Sequence, residues 1–167
     1  MMKKAIYSAI LLLVLSFSTA TAQTTFKSGI EYNDFIVAEQ SKIGVLIGKF
    51  NGFIELSSYN EARTLLTGDM VSETRLAIRN IKRMPAYNGD SKMRDAAIGL
   101  FNFYLGCFEN EYLKMLNILA KSDISPADAD EMNKILKIVT DNEKVVDDAF
   151  QSAQADFAAK NGFTLTK

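Results

Sequence analysis

The side chains able to do chemistry in this 167-residue chain are one cysteine, twenty carboxylates and six tyrosines, with no histidine and no tryptophan. Without imidazole the usual Ser–His and Cys–His nucleophile pairs, and the His-dependent zinc sites, cannot be assembled. The Glu-x-x-His di-iron bundle site and c-type haem attachment fall for the same reason. Cys107 alone can form neither an internal disulfide nor a multi-thiolate metal site. Placed between Tyr104 and Phe108 with no activating base in sight, it reads as a small buried hydrophobe. Carboxylates by themselves can hydrolyse glycosides, but that chemistry needs an aromatic-lined cleft, and a chain without tryptophan offers little sign of one. Asp128-Ala129-Asp130-Glu131 imitates the start of a calcium loop, yet no glycine follows at the sixth position and no glutamate closes a twelfth. Those acids sit where a first helical turn welcomes negative charge. The sequence therefore nominates no catalytic residue, no metal ligand and no cofactor.

Two polar groupings stand out instead. Glu143 falls in an apolar stripe, four residues after Val139 and three before Val146, where a hydrophobe is expected. A buried carboxylate must be partnered, be protonated or reach water. Antiparallel pairing puts Tyr104 at about the same height, and Glu39 and Gln40 interrupt another stripe in the same way. Glu143, Tyr104 and Gln40 thus form a candidate interhelical polar cluster, to be weighed against a register-fixing device or a glutamate that reaches solvent. The second grouping is basic: Arg75, Arg79, Lys82 and Arg83 precede a loop, and Lys92 and Arg94 follow it. Cations at a helix C-terminus are favourable in their own right, and Glu31, Asp34 and Asp156 are expected at the same end. With Tyr87 as the aromatic contact, Arg83, Tyr87 and Lys92 make a candidate partner loop.

The elements that must position these groups are helical. Lys3 and Lys4, the apolar run from Ala5 to Phe17 and the small-x-small triplet Ala20-Thr21-Ala22 read as a signal peptide over 1–22, cut before Gln23. The run is too short for the ~20 apolar residues of a membrane span, and no cysteine follows it to carry a lipid anchor. Cleavage leaves 17 basic against 20 acidic side chains, a poor balance for nucleic acid. After a flexible segment over 23–30, apolar residues recur every three or four positions from 31 to 162 and period-two alternation is missing. A first helix runs from about Glu31 to Leu56; its Gly44, Gly48 and Gly52 are expected to admit a close neighbour. Ser58 and Glu61 propose a capping box for a second helix, weakest at Gly68-Asp69 and stopped by Pro85. Pro85–Asp90 has turn chemistry. A third helix runs from Asp90 or Ser91 to about Lys121, with Ile98, Phe101, Leu105, Phe108, Tyr112, Met115 and Leu119 as its stripe. Ser125-Pro126 with Asp128 caps a fourth, carrying Leu136, Val139, Val146, Phe150, Ala153 and Phe157, and Asn161-Gly162 ends it. Residues 163–167 form a tail in which Phe163 and Leu165 could fold back. Short connections between long helices predict an all-α, antiparallel up-down-up-down four-helix bundle.

Several local patterns carry a resemblance. They are Tyr32-Asn33-Asp34-Phe35-Ile36 with Gln40, the loop Met84-Pro85-Ala86-Tyr87-Asn88-Gly89-Asp90, Phe103-Tyr104 followed by Glu111-Tyr112, and Gln154-Ala155-Asp156-Phe157-Ala158. Together they resemble a family of uncharacterised bacterial predicted surface or secreted proteins, of the kind found in Bacteroidetes-type organisms and spirochaetes. The resemblance spans about Glu31 to Leu165. It implies export and an all-helical domain, and supplies no catalytic or ligand-binding residue. The expectation is an exported, non-enzymatic bundle that binds a protein partner at the envelope or outside the cell. The alternative is a small-molecule or ion-binding protein with an interhelical pocket around Glu143 and Tyr104.

Overall fold

The computed structural model describes residues 25–165, so the expected signal peptide over 1–22 lies outside the described residues. The fold is all-helical. Helix α1 spans Gly29–Glu55, α2 Tyr59–Leu65 and α3 Val71–Lys82, with a π-helical turn, Leu66–Met70, joining the last two into one rod. Helices α4, Lys92–Glu109, and α5, Glu111–Leu119, form a third rod, and α6, Pro126–Lys160, the fourth. Helix α4 packs on both α3 and α6, and α1 packs on α2, α3 and α6. No helix among the described residues is long and apolar enough to cross a membrane.

Local chemistry explains most of the ends. Ser28 accepts the Glu31 N–H and starts α1. Phe26, in the segment read as flexible, packs edge-on against Tyr32 at 4.9 Å, so the chain is part of the fold from there on. Ser125 and Asp128 form the full reciprocal capping box, with Pro126 in the first turn of α6. The Lys121 ammonium and the Ser125 hydroxyl hold the Asp128 carboxyl down to about 2, and its bonds to Ser125 make Asp128 a capping residue. Ser58 precedes α2 but makes no side-chain cap bond, contrary to the capping-box reading. The weak point at Gly68-Asp69 is where the π turn inserts.

The long third helix is broken at Asn110, whose backbone leaves the helical region (φ −125°, ψ −71°) while its side-chain amide donates to the Gly106 carbonyl at 2.9 Å. The break shifts the buried stripe: Leu116 and Ile118 go inward below it, and Met115 and Leu119 are only half-buried. In α6 the phase also differs from expectation, with Ile135 buried and Leu136 exposed.

The core is one cluster running from Tyr32, Ile36, Ile43 and Phe50 on α1 through Leu66, Met70, Ala77 and Ile81 to Leu100, Phe101, Phe108, Leu116, Phe150 and Phe157. Gly44, Gly48 and Gly52 do not serve it. A Cβ built on any of them meets nothing within 4 Å, because these positions face away from the neighbouring helices. Gly29 is the close approach, where a Cβ would lie 2.8 Å from the Asn161 Cβ at the end of α6. Gly48→Ala is therefore expected to raise stability by about 0.5–1 kcal/mol, from helix propensity alone. Gly29→Ala is expected to lower it, by pushing the start of α1 off the end of α6. Urea unfolding of the two variants checks both signs.

Candidate functional site

Three separated stretches of sequence converge at one end of the molecule. Tyr32, near the start of α1, is fully buried, and its hydroxyl donates to the Pro85 carbonyl at 3.0 Å. Its ring lies 5.4 Å from Tyr87 in the loop and 5.2 Å from Phe157 near the end of α6. Tyr87 in turn meets Phe157 edge-on at 5.5 Å, and Phe163 closes over Phe157 at 6.1 Å. Edge-on and tilted aromatic pairs of this kind each add ~0.5–1.5 kcal/mol beyond the area they bury.

The loop itself is a tight turn. Tyr87 and Asp90 exchange both backbone hydrogen bonds at 2.9 Å, and Asn88 and Gly89 take positive φ of 50° and 83° between them. That is the backbone of a type I′ turn, for which Asn-Gly is the favoured pair. Side chains fasten it from three directions: Arg94 donates to the Met84 carbonyl at 2.9 Å, Tyr32 to Pro85, and Lys160 to the Asp90 carboxylate at 2.8 Å. The Lys160 ammonium and the Lys92 N–H keep the Asp90 carboxyl below its usual range. Of the partner-loop candidates, Arg83 and Lys92 are exposed. Tyr87 is not the free aromatic contact expected, because its ring is half-buried against Tyr32 and Phe157.

The polar-cluster candidates separate. Glu143 is exposed on α6 and reaches solvent; burial raises the Tyr104 and Tyr112 phenols and the Cys107 thiol, and the nearby Glu143 carboxylate adds a smaller push in the same direction. Glu143 acts on Tyr104 through its charge, but among the described residues no hydrogen bond joins them. Gln40 is half-buried and bonds to neither. The buried carboxylate is its neighbour Glu39, whose side chain is 6% exposed. Glu39 accepts from Lys42 at 3.0 Å and from the Asn80 amide of α3 at 3.1 Å. Lys42 also reaches Glu73 on α3 at 3.7 Å, so one carboxylate ties two rods. A second buried polar residue, Asn33, accepts from Gln154 of α6 at 2.8 Å. Spacing could have found Glu39: it lies three residues after Ile36 and four before Ile43, on their face, whereas Gln40 is one step round the helix.

Cys107 is buried, and desolvation pushes its thiol from 9.0 up to about 12. At neutral pH it holds its proton and is a poor nucleophile. Its helix borders a groove of about 250 Å³ between α4 and α6, walled by Asn102, Phe103, Gly106, Ile138 and Asn142. Compared with known proteins, the chain matches no family model, no curated protein and no solved structure.

Two outcomes follow from these environments. Burial raises the Tyr32 and Tyr104 phenols from 10.0 to about 12, alongside Cys107. Each group ionises more readily in the unfolded chain, so the stability it contributes is complete below the unfolded value and is lost as pH rises through the folded one. The melting temperature is expected to fall progressively from about pH 9 to pH 12, and Cys107→Ala to delay the onset; a flat profile over that window contradicts the assignment. Asn80→Ala is expected to cost about 1–3 kcal/mol, because it strips a donor from a buried carboxylate. Glu143→Ala at its exposed position is expected to stay within about 0.5 kcal/mol. Denaturant unfolding of the pair distinguishes the two glutamates.

Proposed function

We propose that this protein is an exported, non-enzymatic bundle that binds a protein partner at the cell envelope or outside the cell, using the end that carries the 84–90 loop. The observation that carries the reading is a rigid loop with cations beside it. The turn is held by Tyr32, Arg94 and Lys160, so little backbone freedom is lost when a partner docks. Arg79, Lys82, Arg83 and Lys92 are exposed next to it with no ion pair among the described residues, available to an acidic patch.

An antiparallel up-down-up-down order of the rods accounts for the contacts at both ends. The start of the first rod meets the end of the fourth and the loop after the second, as Tyr32 meets Phe157 and Pro85. Towards the far end of the first rod, Phe50 meets Tyr112 of α5 at 5.5 Å. Export rests on the charged, apolar and small-residue sequence over 1–22. The absence of imidazole and the protonated, buried Cys107 support a non-enzymatic role. Membership of the exported helical family fits a further fact: three of the four motifs behind the resemblance, at 32–36, 84–90 and 154–158, meet at this end.

The test is capture from envelope extract by the immobilised protein. Arg83→Glu with Lys92→Glu is expected to weaken capture about tenfold or more with melting unchanged, because rim charges act on association rather than on the fold. Tyr87→Ala is expected to lower stability, as it removes a ring from the aromatic cluster. Capture indifferent to the charge reversal, or retention of the full-length chain in the cytoplasm, overturns the reading.

A further inference from the structure

The half of α6 that precedes Phe150 leaves large apolar side chains uncovered. Ile138 is 54% exposed and Val145 67%. Seven residues apart, they lie on one line along the helix, and Ile138 lines the α4–α6 groove together with Asn102, Phe103 and Gly106. A Cβ built on Gly99 or Gly106 of α4 meets nothing within 4 Å, so the far wall is open as well.

Next to the apolar line runs a row of exposed charges at three- and four-residue spacing: Lys137, Asp141, Lys144 and Asp148. Within the helix they pair as Lys137–Asp141 and Lys144–Asp148, each at 2.7 Å. The order of signs along the row is plus, minus, plus, minus. Read from the other end it is the opposite, so the row is complementary to its own reverse. Laid antiparallel on a second copy and centred between 141 and 144, Lys137 meets Asp148 of that copy and Asp141 meets its Lys144. Laid parallel, every charge meets its like. A two-fold axis perpendicular to the two helices keeps both rows on one side and brings Ile138 of one copy near Val145 of the other, about two residues out of level. A partner of a single charge sign would match only half of the row.

We propose that α6 is a self-association surface, and that its occupant is the α6 of a second copy, running antiparallel and seated over the α4–α6 groove. This surface lies along the middle of α6, away from the 84–90 loop, and does not depend on the partner-binding reading. The dimer leaves the loop end of each copy free.

Sedimentation equilibrium of the full chain tests it. The parent is expected to form a dimer. Lys144→Asp places like charges opposite each other twice by symmetry and is expected to raise the dissociation constant about tenfold or more. Asp141→Lys combined with Lys144→Asp breaks both pairs within the helix yet restores the complementary order, so the dimer is expected to return. Ile138→Asp is expected to yield a monomer with unchanged helical circular dichroism. A monomeric parent, a dimer indifferent to Lys144→Asp, or a double variant that fails to recover each overturns the proposal. Association through the apolar N-terminal run would belong to the second outcome, because it does not sense these charges.

Discussion

The buried hydroxyl of Tyr32 needs an acceptor, and the one it finds is the carbonyl of Pro85, fifty-three residues away. An unsatisfied phenol in that position would cost about 1–3 kcal/mol, so the start of α1 and the loop after α3 are held at one distance. The ring faces of the same residue then set where the end of α6 comes to rest, through Phe157. Pro85 follows the last turn of the second rod, where carbonyls lack helical partners. Tyr32 satisfies one of them and Arg94 the next, at Met84. A single aromatic residue thereby joins two helix ends and a turn, and two further fastenings, Lys160 to Asp90 and Asn33 to Gln154, link the same elements.

A second constraint works across the middle of the same helix. Glu39 is taken out of water and satisfied by one ammonium and one amide, the latter from α3. A buried carboxylate of this kind adds little net stability, since its desolvation offsets most of what its partners return. What it does is penalise other registers: sliding α3 by one turn would leave the charge without Asn80. Together with the Asn33–Gln154 bond, it marks α1 as the helix that reads the alignment of both its neighbours.

The surface left by this arrangement is uneven. The loop end is rigid and carries exposed cations beside the acids Asp90 and Asp156, while the first half of α6 is amphipathic on the side it turns away from the core. Its Ile138 and Val145 stay 54% and 67% exposed, whereas Ile135 is buried and Val139 and Val146 are half-buried. A fold whose interior is already one continuous cluster does not need them there, which is why their exposure bears on contacts between molecules.

The helical class, the places where rods begin and end, the Ser125–Asp128 cap, the Asn88-Gly89 turn and the stop at Asn161-Gly162 were all determined by sequence, because each depends on a few adjacent residues and on backbone geometry. The weakness at Gly68-Asp69 was legible for the same reason, though its form, a π turn, was not. Only the tertiary structure decided that Glu39 and not Glu143 is the buried carboxylate, that Gly44, Gly48 and Gly52 face away from the neighbouring helices, that Asn110 breaks the third rod, and that Tyr87 packs inward. Periodicity measures spacing along a helix and is silent on phase. Which side of a stripe meets a neighbour depends on residues tens to hundreds of positions away, and at Tyr32 those residues are Pro85, Tyr87 and Phe157.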